Sequence, residues 1–108
     1  MKIGDLVLIP FPFSELSQVK VRPAVVITET KDKFKDLVVS AISSVVPSKI
    51  TEREFIIPTS VKNNLRVKSV VKADRIVTVK KEKVIAVMGK LTDTELSKFK
   101  SILLKMIR

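Results

Sequence analysis

Arg22, followed by Pro23 at the mouth of the apolar run "KVRPAVVIT", is the side chain from which a chemical reading of this sequence starts. A guanidinium presents five donors in a planar fork and can hold two phosphoryl oxygens at once. Its pKa lies above about 12, which makes it a poor base. Its natural work is to stabilise negative charge and to donate a proton to a leaving oxygen. The rest of the sequence narrows the chemistry further. With no His and no Cys, the usual general base, the thiolate nucleophile and the common transition-metal ligands are missing. The acidic residues are scattered, with no two placed to oppose each other across a sugar. Gly4 and Gly89 are the only glycines, so no glycine-rich phosphate loop exists. Catalysis would have to use Arg, Lys, Ser, Thr or carboxylates.

Charge says what such a group would meet. Lys and Arg number 21 against 11 Asp and Glu, a formal charge of +10 that the absence of His holds constant around neutral pH. Nucleic acid, an acidic protein segment and anionic lipid are all attracted by such a surface, and a Lys-rich surface can also serve solubility alone. The densest stretch carries Lys62, Arg66, Lys68, Lys72, Arg75, Lys80, Lys81 and Lys83 against Asp74 and Glu82, a net of +6. It reads as a solvated face or as a groove that tracks phosphates. Aromatic platforms are limited to Phe11, Phe13, Phe34, Phe55 and Phe99, so a bound RNA would be held more by backbone charge than by stacking.

The elements that must position these groups are mainly strands. Val- and Ile-rich runs at 5–11, 21–29, 36–44, 53–58, 68–79 and 83–89 are short, closely spaced and not alternated with helices. They predict an antiparallel sheet or small barrel in one domain spanning 1–108. Pro23 reads as a device for entering the second strand, where its missing N–H is tolerated. "TSVKNNLR" (59–66) is a polar interlude with room for one helical turn. At the C-terminus the period changes: Leu96, Phe99, Leu103 and Met106, with Ile102 and Ile107 beside them, mark an amphipathic helix. Thr92 and Glu95 form a capping-box signature at its start, and the helix is expected to lie as a lid over the open end of the barrel. The N-terminal apolar stretch is broken by Asp5 and two prolines, and no run approaches the ~20 residues that cross a bilayer. Together with the lack of cysteine this predicts a cytoplasmic protein with no membrane partner.

The order of the pieces carries a resemblance. "GDLVLIPFPFSELSQVKVRPAVVI", then "VVSAISS", then "SVVKADRIVTVKKEKVIAVMGKL", then a helix, resembles the MazF/PemK family of toxin endoribonucleases (mRNA interferases) of type II toxin–antitoxin systems. Gly4-Asp5, Arg22-Pro23-Ala24 and Gly89 followed by Leu91 are its sharpest parts. The resemblance implies an SH3-like barrel of about six mostly antiparallel strands with a C-terminal α-helix, usually a homodimer. It implies cleavage of single-stranded mRNA by 2′-OH attack, leaving 2′,3′-cyclic phosphate and 5′-OH ends, with no metal or other cofactor. An acidic antitoxin protein would neutralise the toxin by occupying the same basic surface.

Carried over by position, the family's catalytic arginine falls on Arg22 and its catalytic threonine on Ser43. Serine keeps the hydroxyl and loses the methyl group that restricts χ1. Gln18 matches a glutamine often found in the family's first long loop, although its neighbours depart from the commoner "GSEQ". RNA contacts are expected from Ser14, Ser17, Gln18, Lys20, Ser44 and Lys49. Without the resemblance, Arg22 reads equally as a rim arginine paired with Glu15 or another acid, and Ser43 as a turn hydroxyl. Two other functions use the same features: a non-catalytic toxin-like barrel that binds a protein target such as a topoisomerase, and a basic RNA-binding module.

Overall fold

Runs such as "AVVI" and "LVVSAI" lack the in–out alternation of a sheet with one wet face, and the structure shows why. The computed structural model describes residues 1–11 and 20–108. Its strands are β1 (Asp5–Phe11), β2 (Lys20–Glu29), β3 (Leu37–Ser43), β4 (Glu54–Ile57), β5 (Ser69–Val79) and β6 (Ala86–Lys90), followed by helix α1 (Asp93–Met106). They form one antiparallel sheet in the order β4-β5-β3-β2-β1-β6, curled into a half-barrel with β4 and β6 at its edges. Both faces of the central strands are buried. Leu6, Val25, Ile42, Ile57 and Val71 pack on one side with Phe99 and Ile102 of α1. Val7, Ile9, Ala24, Val26, Leu37 and Val39 form a second core on the other. A strand buried on both faces reads as a continuous apolar run.

The curl depends on a break in register between β3 and β5. Ser40 pairs with Ile76 whereas its neighbour Ala41 pairs with Lys72, so residues 73–75 of β5 stand out of the ladder. Such a bulge bends the strand and increases its twist. The polar groups it releases are re-used: the buried Ser40 hydroxyl donates to the Ala73 carbonyl at 2.9 Å, and the Ala73 N–H donates to the Arg53 carbonyl at 3.0 Å. Smaller shifts at Leu6/Val7 and Val26/Thr28 add to the bend.

α1 has both halves of the expected capping box, Thr92 Oγ1 accepting from the Glu95 N–H and Glu95 accepting from the Thr92 N–H. Its buried face is Phe99 and Ile102, with the Phe99 ring 6.2 Å from that of Phe55. Two expectations change. Ile107 is the C-cap, 81% exposed, and contributes nothing to the core. The 59–66 interlude holds the single turn expected of it, closed by Asn64 N–H to Ser60 O. A 3-10 turn at Lys81–Lys83 delays the last strand to Ala86, because three charged residues in a row have no apolar face to lay on the sheet. No helix among the described residues is long and apolar enough to cross a membrane.

Edge strand β4 is tied to β5 by Glu54, which accepts from the Thr51 N–H at 2.9 Å and lies 3.5 Å from Lys72 Nζ. The Thr51 hydrogen bond, with Lys72 adding to it, holds the Glu54 carboxyl below its ordinary 4.5. A lowered folded pKa means that the unfolded chain takes up its proton first as pH falls. This stabilisation is therefore complete above about pH 4.5 and is lost as pH drops through the lower folded value. Thermal melts from pH 7 downward should show a steeper acid loss in the wild type than in Glu54→Gln; parallel curves would refute the linkage.

Candidate functional site

Arg22 stands at the end of the two central strands. It pairs with Ile9 of β1, and the ladder between β2 and β3 ends at Ala24↔Ala41. Two residues further along each strand lie Arg22 and Ser43, so both occupy the same end of neighbouring strands. Pro23 is not at the strand entrance: it is the fourth residue of β2. On the side facing β3 it lies just outside the paired stretch, where its missing N–H costs no ladder bond. The ends of β2 and β3 can then separate.

A cavity of about 490 Å³ opens there. Leu8, Pro23, Ile42 and Met88 contribute apolar lining. Arg22, Ser44, Asn64, Arg66 and Ser69 supply its polar groups. This is an open site whose lining combines two guanidiniums, two hydroxyls and apolar side chains, a set of donors suited to a phosphate ester and its attached sugar or base.

The other expected residues divide. Ser43 does not line the cavity, whereas Ser44 does. Strand alternation puts Ser43 on the face of Ala41, opposite Ile42, and Ser43 Oγ accepts from the Val45 N–H at 3.1 Å. The turn role is real, and it leaves the hydroxyl proton available to donate. Lys20 is exposed at the start of β2, opposite Phe11. Lys49 is exposed in the connection after β3 and is not part of the cavity wall. Ser14, Ser17 and Gln18, and Glu15 with them, lie outside the described residues.

The sequence marks Arg66 as one of a basic run and 59–66 as a polar interlude, but not the contacts that bring this loop to the cavity of Arg22. Asn63 is fully buried: its Oδ1 accepts from the N–H groups of Ser60 and Leu65, and its Nδ2 donates to the Pro58 carbonyl. Asn64 takes a left-handed conformation, φ 55°, and donates to the Met88 carbonyl. The loop is then drawn onto β6 by Lys90 N–H to Lys62 O at 2.9 Å. Only glycine permits this, since a Cβ on Gly89 would lie 1.8 Å from the Lys62 carbonyl oxygen. The adjacent asparagines were the available signal, because Asn closes side-chain-to-backbone turns and tolerates the left-handed region.

Fold and cavity together define a small basic β-domain with a cationic mouth at the ends of its central strands. The family model for the PemK-like, MazF-like toxins of type II toxin–antitoxin systems matches residues 2–107. The chain belongs to that family. Among solved structures it is similar to a mycobacterial endoribonuclease in complex with its cognate antitoxin, with a TM-score of 0.72 over 99% of this chain and 94% of that one. At 16% identity that likeness is one of fold. No curated protein matches the chain in sequence.

Gly89→Ala should destabilise the protein by about 2 kcal/mol or more, since backbone rather than a flexible side chain occupies the Cβ position. In a domain of this size that is a fall in Tm of roughly 10 °C. An unchanged Tm would show that the loop holds its place without the close approach.

Proposed function

We propose that this protein is the toxin of a toxin–antitoxin pair and acts as an endoribonuclease on single-stranded mRNA. The observation that carries the reading is Arg22 at the rim of the cavity, in a chain that matches the toxin family over 2–107. The similar mycobacterial protein being an endoribonuclease adds support.

RNA brings its own nucleophile, so the protein has to align the 2′-oxygen with the phosphorus, lower the cost of negative charge and help the leaving oxygen depart. In the proposed step the 2′-oxygen bonds to phosphorus, its proton passes to solvent, and the bond from phosphorus to the 5′-oxygen breaks. A 2′,3′-cyclic phosphate and a 5′-hydroxyl result. Arg22 stabilises the phosphoryl oxygens and protonates the departing 5′-oxygen, being replenished from water. Ser43, beside the cavity lining at the same strand end as Arg22, offers its hydroxyl proton to a phosphoryl oxygen while its oxygen keeps the Val45 bond. Ser44, Lys20 and Lys49 contribute along the strand's path, as do Ser14, Ser17 and Gln18 of the connection between β1 and β2.

The charge of +10 suits an acidic antitoxin segment laid over the same mouth. Self-association has apolar surface to use between α1 and the sheet, where Ile76, Leu104 and Ile107 are exposed. Sedimentation should then give twice the chain mass of 12.1 kDa, and a mass of one chain at high micromolar concentration would refute the dimer.

Incubated in EDTA with a long mixed-sequence single-stranded RNA, the protein should yield discrete fragments with 5′-hydroxyl ends. Arg22→Ala should lower the rate at least about a hundredfold while keeping its Tm. Ser43→Ala should lose about tenfold, one hydrogen bond to a charged group. Undiminished cutting by folded Arg22→Ala would refute the assignment, and RNA binding without any product would identify a binding module instead.

A further inference from the structure

We propose that Arg66 is a second phosphate contact of the site, taking the phosphate next to the one held by Arg22; this rests on reading the cavity as the RNA site.

Position is the first argument. Arg66 lines the same 490 Å³ cavity as Arg22 but comes from a different part of the chain, the loop between β4 and β5. Two guanidiniums that line one open cavity from different segments of the chain can hold neighbouring phosphates of one strand.

Rigidity is the second. The residues just before Arg66 are held from three directions. Asn63 fixes the turn through Pro58, Ser60 and Leu65, and Leu65 is buried in the first core. Asn64 and the Lys62 carbonyl are bonded to β6, at Met88 and Lys90. A long exposed side chain on so constrained a backbone is presented at a defined place, which reduces what must be ordered on binding.

Charge pairing is the third. In the same basic stretch Lys72 pairs with Glu54 at 3.5 Å and Lys81 with Glu29 at 3.2 Å. Those cations serve the fold. Among the described residues no carboxylate lies within 4 Å of the Arg66 guanidinium, so its field is available to an anion. The run of positive charge therefore separates into members neutralised by the sheet and at least one kept for a partner.

The test is binding, which does not depend on turnover. A mixed-sequence 2′-O-methyl RNA oligonucleotide, whose nucleophile is blocked, is titrated over a series of salt concentrations with wild type, Arg66→Ala, Arg66→Lys and Arg53→Ala. Arg53 is an exposed arginine outside the cavity, and its loss removes the same charge elsewhere. Arg66→Ala should bind about tenfold more weakly, with the slope of log K against log salt reduced by about 0.7. Arg66→Lys should recover the slope without the full affinity, and Arg53→Ala should stay within about twofold. If Arg66→Ala and Arg53→Ala behave alike while the wild type still cuts unmodified RNA, this inference is overturned and the proposed function stands. If the wild type neither binds the oligonucleotide nor cuts RNA, both are overturned.

Discussion

A six-stranded sheet with a single helix can cover only one of its faces unless the sheet folds over on itself, and this requirement governs the whole molecule. The bulge of residues 73–75 meets it. It turns β5 so that its first half packs with β4 and α1 and its second half closes the other core. Bending a strand releases backbone polar groups, and in a buried position each would carry a substantial penalty. Ser40 and Arg53 take up the carbonyl and the N–H of Ala73, so the bend is satisfied where it occurs. A serine at zero exposure in the middle of an apolar strand has its explanation in that carbonyl.

The mouth of the site follows from the same geometry. Where β2 and β3 stop pairing, beside a proline that can donate nothing, the sheet opens toward the loop between β4 and β5. That loop is held by a buried asparagine and by the missing side chain of Gly89. The cavity lining is thus drawn from strand ends and from a braced loop, and it includes the two cations Arg22 and Arg66. Guanidiniums that share a cavity with apolar side chains are screened less than those on open surface.

Family membership and local physics bear on different questions. The match over 2–107 identifies a toxin of the PemK/MazF type. The residues of this chain give that identity its particular form, with a serine at the end of β3 and two arginines lining one cavity. Ion pairs sort the remaining charge: Glu29 joins the N-terminal amine and Lys81, and Glu54 joins Lys72, leaving the excess of positive charge to the surface.

Much of this architecture is legible in the amino-acid sequence alone. Val/Ile runs specify strands, and a change of period with Thr92 and Glu95 specifies the helix and its first turn, because these signals are local and depend on residues within a few positions of each other. Net charge is a sum and needs no geometry. Arg22 stands out because the chain lacks His and Cys. By itself the sequence determined the strand-rich fold, the C-terminal helix and the net positive charge, and it singled out Arg22 as a candidate group. Only the tertiary structure decided that β5 bends at 73–75, that Ser44 rather than Ser43 lines the cavity, and that Arg66 lines the same cavity as Arg22. Those facts depend on register and on contacts between distant segments. A shift of one position reverses the face a side chain occupies, and the approach of Gly89 to Lys62 joins residues far apart in the chain.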